Sequence, residues 1–256
     1  MAYTLENWGI DTPGRTSLWR YMSLSKLLQM LQSRTIWLAR VDTLLAEDPY
    51  EGSLPFTYFQ LQSDQSDRDA AMEKKHSEAP GTRKQMRDMF LAMHQMERLR
   101  TYVSCWHAAI TDNAAMWKLY GGGSDGSICV QTTTARMMKI VPDWVGIGKI
   151  KYTSYDKNWD VNVSNSYTPF FHKRSCFQHE NEIRLLTNSS LDDIPFDVSN
   201  EATGLPVQFD PNELLLRIHV SPTSDSWFLD VVQKAVSSLG VDVPVEPAPM
   251  SILPVF

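Results

Sequence analysis

The sequence contains little cysteine, with three residues in 256, and they lie far apart at Cys105, Cys129 and Cys176. The odd number and wide spacing argue against a disulfide framework, and no CxxC or Cys/His spacing typical of a zinc site is present. We therefore expect reduced, buried thiols in a cytoplasmic protein that holds no metal.

Long apolar runs and an excess of positive charge are also missing. No apolar run approaches the ~20 residues that cross a bilayer, and the N-terminus lacks the basic and apolar regions of a signal peptide. Lys and Arg number 24 against 30 Asp and Glu, so the formal net charge is −6. The missing apolar runs predict no membrane partner. The charge balance argues against a dedicated nucleic-acid surface, although a local basic groove is compatible with it. Nothing in the sequence indicates an oligomeric state.

The helix and strand patterns that are present indicate an α+β protein. "SLWRYM" and "TIWLARV" predict two strands around a leucine-rich helix that Ser23 caps, and the second half of the chain is rich in short strands. We expect a single domain over residues 1–256, with a polar lead-in at 1–16 and a proline-rich terminal stretch at 241–256. Its sheet should be mixed or mostly antiparallel, with helices packed on it.

Residues 62–100 predict two helices that are broken at Pro80-Gly81. The second helix carries an apolar stripe, for which core packing is favoured over a binding groove. The stripe consists of Met86, Met89, Phe90, Met93 and Met96.

Two loops could hold a ligand, but each has a simpler interpretation. "GGGSDG" (121–126) lacks the Lys-Ser/Thr of a P-loop and follows a helix, so a flexible turn is favoured. "AEDPYEG" (46–52) concentrates Glu47, Asp48 and Glu51, which could bind a cation, although a solvated acidic turn explains them equally well.

The charged segment "HENEIRLL" (179–186) is the strongest candidate for a site. Strand alternation from Glu182 places Glu180, Glu182 and Arg184 on one face, opposite Ile183 and Leu185. Such a cluster of both signs binds a polar ligand or forms a salt-bridge network, and the sequence favours neither.

Aromatic and basic side chains provide the remaining candidates. Arg20 stands between Trp19 and Tyr21, where it can pair with phosphate or face water. Trp117 and Tyr120 share one face of a helix that Asp112 is expected to cap, and they either line a pocket or belong to the core.

The nearby Ser104, Cys105 and His107 resemble a nucleophile and a base. Residues adjacent in sequence rarely form such a pair, and nothing in the surrounding sequence lowers the thiol pKa. A strand end and turn is therefore the favoured interpretation.

The order of these pieces resembles a bacterial family catalogued as domain of unknown function 2971. The resemblance spans roughly residues 17–250 and rests on "LWRYM", "AEDPYEG", "VSCWHAAI", "MWKLYG" and "FFHKRSCFQHENEIRLL". The chain departs from the family pattern at Ala46-Glu47, Trp106-His107 and Phe177, which affects the details of a pocket more than the fold.

A more distant resemblance is to ADP-ribosyltransferase-like folds, and it implies an enzyme that uses NAD as substrate, such as a toxin or phage-defence effector. In this hypothesis Arg20 contacts the phosphate or ribose, Trp117 or Tyr120 stacks on nicotinamide, and Glu182 or Glu180 stabilises the cation-like transition state. The site residues would be catalytic Glu182 and Glu180 with substrate-binding Arg20, Tyr21, Trp117, Tyr120 and Arg184. No bound cofactor is indicated. The alternative is a non-catalytic module that binds a protein or ligand.

Overall fold

The computed structural model describes residues 3–4, 15–53, 66–121, 126–154, 167–189 and 202–252. Its strands are β1 (Tyr3–Thr4), β2 (Ser17–Ser23), β3 (Thr35–Arg40), β4 (Thr101–Ala108), β5 (Ser127–Thr133), β6 (Gly146–Lys149), β7 (Lys151–Thr153), β8 (His172–Arg174), β9 (Glu182–Asn188), β10 (Gly204–Gln208), β11 (Arg217–Val220) and β12 (Val245–Pro247). Its α-helices are α1 (Leu24–Ser33), α2 (Ser66–His76), α3 (Thr82–Arg100), α4 (Ala114–Tyr120), α5 (Thr134–Ile140), α6 (Pro211–Leu214) and α7 (Ser226–Ser238). Short 3₁₀ helices cover Val41–Ala46, Thr168–Phe171, Ser175–Glu180 and Pro249–Ser251.

Ten of these strands form one sheet, whose main path runs β1-β6-β9-β4-β2-β5-β11-β12. Neighbours along it are antiparallel except for β1 with β6 and β11 with β12, which are parallel. Strands β7 and β8 form a separate parallel pair. The prediction of an α+β fold with a mixed, mostly antiparallel sheet is therefore confirmed.

The sheet forks at β4. Strand β9 pairs along one edge of β4 from Thr101 to His107. On the other edge, β2 pairs only at Ala108 and His107, whereas β3 pairs only at Val103 and Tyr102. Residues 104–106 of β4 therefore lie beside a gap between β2 and β3.

The main core lies on one face of the sheet, beneath α1, α5 and α7. These helices contribute Leu27 and Leu31, Met137, and Val232 and Val236, all of which are buried. Helix α1 begins where the Ser23 hydroxyl accepts a hydrogen bond from a backbone N–H, as predicted, and ends at a left-handed residue, Arg34.

The opposite face carries two smaller apolar clusters. One surrounds Phe170, Phe171 and Val103, and the other surrounds Trp19 and Trp117. Polar side chains of β4 and β9 emerge on this face, which gives the protein a site flanked by apolar packing.

Several local predictions need correction. Tyr3–Thr4 of the lead-in forms an edge strand, and Val245–Pro247 of the terminal stretch forms another, because each finds a parallel partner across the sheet. Strand β10 and helix α6 were not predicted. Residues 122–125 of the "GGGSDG" loop lie outside the described residues.

The methionine stripe of α3 is exposed rather than part of the core. Met86, Met89, Met93 and Met96 are between 48% and 61% exposed. The break between α2 and α3 falls at Pro80-Gly81 as predicted. None of the helices in the described ranges is both long and apolar enough to cross a membrane.

Candidate functional site

A cleft of about 310 Å³ opens at the fork of the sheet. Its walls come from β2, the 41–53 segment, β4, α4 and the 173–184 segment. The side chains that define its chemistry are Arg20, Tyr21, Lys26, Glu47, Asp48, Glu51, Cys105, His107, Tyr120, Lys173, Phe177, Glu180, Glu182 and Arg184.

A buried ion-pair network occupies the wall formed by β9. Arg184 is fully buried, and its Nε and Nη2 donate to the two carboxylate oxygens of Glu182 at 2.5 and 3.2 Å. Its Nη1 donates to Glu51 at 2.6 Å and to the carbonyl oxygen of Phe170 at 2.7 Å. Strand alternation places Glu182 and Arg184 together, as predicted, while Ile183 enters the main core.

Glu180 reaches the same cluster by a different route from the one predicted. It ends the 3₁₀ helix Ser175–Glu180, and Asn181 follows in a left-handed conformation, so Glu180 precedes β9 instead of sharing its alternation. Its carboxylate accepts hydrogen bonds from Tyr120 Oη at 2.6 Å and Lys173 Nζ at 2.5 Å. Lys173 Nζ also lies 3.6 Å from Glu182, so one ammonium group bridges the two glutamates.

Three members of this network, Lys173, Glu182 and Arg184, are held in their charged forms by their neighbours. Burial opposes ionisation of Glu182, but Arg184 and Lys173 outweigh it and lower the pKa of Glu182 below its ordinary value. Burial likewise opposes the charges of Lys173 and Arg184, and the neighbouring carboxylates outweigh it and raise both pKa values. Three paired carboxylates (Glu51, Glu180, Glu182) face two cations (Lys173, Arg184), which leaves the network with one excess negative charge.

Arg20 projects into the gap of the fork, away from this network. Its guanidinium lies 5.5 Å from the centre of the Trp106 ring, and its Nη2 is 3.5 Å from the carbonyl oxygen of Trp37. Burial lowers the pKa of Arg20, although a guanidinium remains charged at neutral pH. Among the residues that the structure describes, no carboxylate lies within 4.0 Å of it, in contrast to Arg184.

Aromatic side chains form part of the cleft wall. Tyr120 and Tyr21 both line it, and the pKa of each phenol is raised, chiefly by burial. Trp117 lies behind Tyr21, with the rings edge to face at 4.9 Å, and is 6% exposed. It does not belong to the residues that line the cleft, so the structure brings together every predicted site residue except Trp117.

The cap of α4 also differs from the prediction. Asn113 is the N-cap, and its side-chain oxygen accepts hydrogen bonds from the backbone N–H groups of Ala115 and Met116. Asp112 instead accepts a 3.0 Å hydrogen bond from Trp117 Nε1, which fixes the indole behind Tyr21.

Two of the three "AEDPYEG" carboxylates form ion pairs with arginines. Asp48 pairs with Arg174 at 2.7 Å, and Glu51 pairs with Arg184. The Arg174 guanidinium also stacks against Tyr50 and Phe177, with 4.5 and 5.3 Å to the ring centres. The described residues contain no group of three or more His, Cys, Asp or Glu side chains that could hold a metal ion.

The Ser104-Cys105-His107 cluster contains no activated nucleophile. Burial, followed by the Glu182 charge, raises the pKa of the Cys105 thiol. Ser104 points to the other side of the strand, where it accepts a hydrogen bond from Trp106 Nε1. Burial lowers the pKa of His107, whose Nδ1 is 2.5 Å from the carbonyl oxygen of Glu180.

Sequence reasoning missed two essential members of the site. Lys173 was not identified as a candidate, and Glu51 was noted only as part of an acidic turn. Glu51 is 133 residues from its partner Arg184, and Lys173 lies on a different element from its partner Glu180. The only signal in the sequence was that each residue is opposite in charge to its partner.

No protein-family model matches the chain, and comparisons with curated proteins and with solved structures likewise give no match. The two resemblances inferred from the sequence therefore stay predictions.

Proposed function

We propose that the cleft at the fork binds a nucleotide of the NAD type. The observation that carries the proposal is the arrangement of charge within one cleft: Arg20 has no carboxylate partner among the described residues, while Glu180 and Glu182 belong to a network with one excess negative charge. Arg20 would bind a phosphate, since a guanidinium matches phosphate geometry. The glutamate end would bind the ribose.

The proposed reaction is cleavage of the N-glycosidic bond, as in ADP-ribosyltransferases. The C1′–N bond breaks, its electron pair moves to the ring nitrogen, and neutral nicotinamide leaves. The remaining ribosyl cation is captured by water or another nucleophile, which releases a proton. The excess negative charge near Glu180 and Glu182 would stabilise that cation, and Tyr120 would pack against the ligand.

The size of the cleft limits what it can enclose. A volume of about 310 Å³ is at the lower end of small-molecule sites. It suits one nucleotide half of NAD, with the rest of the molecule lying outside.

The alternative is a binding module without catalysis. It is favoured by one observation, which is that both carboxylate oxygens of Glu182 already accept hydrogen bonds from Arg184. A carboxylate held in this way is less free to follow the changing charge of a reacting sugar.

Two measurements on the same protein separate these functions. Calorimetric titration with NAD and ADP-ribose reports binding, and chromatography of released nicotinamide reports turnover. Glu180→Gln should abolish turnover. Its amide oxygen can accept from only one of the two donors, Tyr120 Oη or Lys173 Nζ, so the melting temperature of the variant is measured alongside to show that the fold is intact. The matched control is Glu246→Gln, whose carboxylate pairs with Arg217 on the surface.

Each outcome has a distinct meaning. Binding with turnover that Glu180→Gln removes supports the enzyme, and growth arrest of a bacterial host by the wild type but not the variant would support a toxin. Binding without turnover supports the module. If neither NAD nor ADP-ribose binds the wild type, the proposal is contradicted.

A further inference from the structure

His107 is a buried residue of the cleft that neither the ion-pair network nor the proposed reaction uses. It lies near the end of β4, is 5% exposed and lines the cleft. Its Nδ1 is 2.5 Å from the backbone carbonyl oxygen of Glu180. Because a carbonyl oxygen can only accept, Nδ1 carries the proton and donates.

The other ring nitrogen of His107 is left without a partner. In the neutral ring with its proton on Nδ1, Nε2 is an acceptor with a free lone pair. This atom is buried and has no hydrogen-bond partner among the described residues. A buried acceptor that is left unsatisfied is destabilising, because it has lost its bond to water and gained none in the protein.

The groups around His107 do not provide one. Glu182 is its register partner on β9, but the Glu182 carboxylate accepts hydrogen bonds from Arg184. Tyr21 on β2 lies with its ring centre 6.3 Å away, and its hydroxyl accepts from the Asn113 backbone. The charges that act on the ring are those of Glu180 and His179, and burial outweighs them to keep His107 neutral.

We propose that Nε2 of His107 is the hydrogen-bond acceptor for a hydroxyl group of the ligand's ribose. The inference rests on the proposed function, because it assigns a ligand group to the same cleft. It makes His107 a substrate-binding residue that selects ligands carrying a sugar hydroxyl at the glutamate end. The hydroxyl would donate the hydrogen bond that the buried Nε2 lacks in the free protein.

Paired substitutions separate the two ring nitrogens. His107→Asn keeps an N–H group near the position of Nδ1, and so keeps the bond to the Glu180 carbonyl, but it removes the acceptor at Nε2. His107→Gln places an amide oxygen near Nε2. We expect His107→Asn to retain the wild-type melting temperature and to bind ADP-ribose roughly tenfold more weakly, which corresponds to about 1.4 kcal/mol and lies within the range for one hydrogen bond. His107→Gln should bind within a few-fold of wild type.

Imidazole-selective ¹H–¹⁵N NMR spectra measure the chemical shift of each ring nitrogen. A purely structural role for His107 would leave the Nε2 shift unchanged when ligand is added. The free protein should show a protonated Nδ1 and an unprotonated Nε2 for His107. Saturating ADP-ribose should shift the Nε2 resonance upfield, as an accepted hydrogen bond does. A protonated Nε2 in the free protein overturns the inference.

The same titrations distinguish failure of the inference from failure of the proposed function. If ADP-ribose binds the wild type, but Nε2 does not shift and His107→Asn binds equally well, then His107 is not the acceptor and the proposed function stands. If ADP-ribose does not bind the wild type, the proposed function fails, and the assignment of His107 fails with it.

Discussion

Arg184 and Glu51 form a buried ion pair, with Nη1 and Oε1 2.6 Å apart, although 133 residues separate them in the sequence. The pair connects the segment after β3 to a central strand of the sheet. It also orients Arg184 so that the Nε and Nη2 edge of its guanidinium faces Glu182. The cleft wall is therefore built before any ligand arrives.

Replacing Arg184 should be costly for stability. Arg184→Met removes the cation that Glu51 and Glu182 share and leaves both carboxylates buried. We expect a loss of about 3–5 kcal/mol in the free energy of unfolding, measured by urea denaturation. In the control variant Arg217→Met, the broken ion pair with Glu246 is nearly half exposed, and the loss should stay below about 1 kcal/mol. Equal effects of the two substitutions would contradict the role given to the network.

Replacing Arg20 should affect binding rather than stability. Arg20→Met leaves no carboxylate unpaired among the described residues, and its side chain can still pack against Trp106. The unfolding free energy should stay within about 1 kcal/mol of wild type. Affinity for ADP-ribose, measured by calorimetry, should fall roughly tenfold to hundredfold, because hydrogen bonds to charged groups contribute about 1.5–3 kcal/mol. Unchanged affinity would exclude Arg20 as the phosphate ligand.

The thiols should differ in reactivity. Burial raises the pKa of Cys105 and Cys129, whereas Cys176 is exposed. At a pH of about 7.5, which is about one unit below the usual thiol pKa, iodoacetamide should alkylate Cys176 at least roughly tenfold faster than Cys105 and Cys129. Mass spectrometry of the modified peptides measures the three rates, and denatured protein provides the reference. Rapid alkylation of Cys105 in the native protein would indicate an activated thiol.

The pKa of His107 predicts how stability depends on pH. Burial lowers it in the folded state, so the unfolded chain binds the proton first, near its ordinary pKa of about 6.5. The contribution of neutral His107 to the free energy of unfolding is fully present above pH ~6.5, and it is lost as the pH falls through the lowered pKa of the folded state. Urea denaturation should show a smaller decline over this range for His107→Asn than for wild type.

Other groups do not obscure this comparison. The pKa of His219 is also lowered, and it contributes equally to both proteins. Glu182 acts in a more acidic range, since its stabilising charge is lost only as pH falls below about 4.3 and through its lowered folded pKa. Identical pH profiles for wild type and His107→Asn would show that His107 is not held neutral by the fold.

Local patterns in the sequence were sufficient for many elements but not for the site as a whole. The alternation in "EIRLL" and the leucine spacing after Ser23 depend on neighbouring residues, so β9 and α1 were predictable. The place of Glu180 was not, because a left-handed Asn181 breaks the alternation just before β9.

Long-range pairing explains the remaining differences. The position of Arg20 depends on β2 and β3 both meeting the same edge of β4, which no local pattern records. The same holds for Glu51, whose partner Arg184 is 133 residues away. Trp117 differs for a local reason, since its indole N–H donates to Asp112 in the turn before the helix. The residue types therefore predicted a polar cluster, but the positions of its members could not be derived without the pairing of distant strands.

A crystal structure of the protein with ADP-ribose tests the central claim most directly, namely that the fork of the sheet is a nucleotide site. We predict a phosphate group within hydrogen-bond distance of the Arg20 guanidinium, and a ribose hydroxyl at Nε2 of His107 beside Glu180. ADP-ribose bound elsewhere, or a cleft that stays empty at saturating ligand, would contradict the claim.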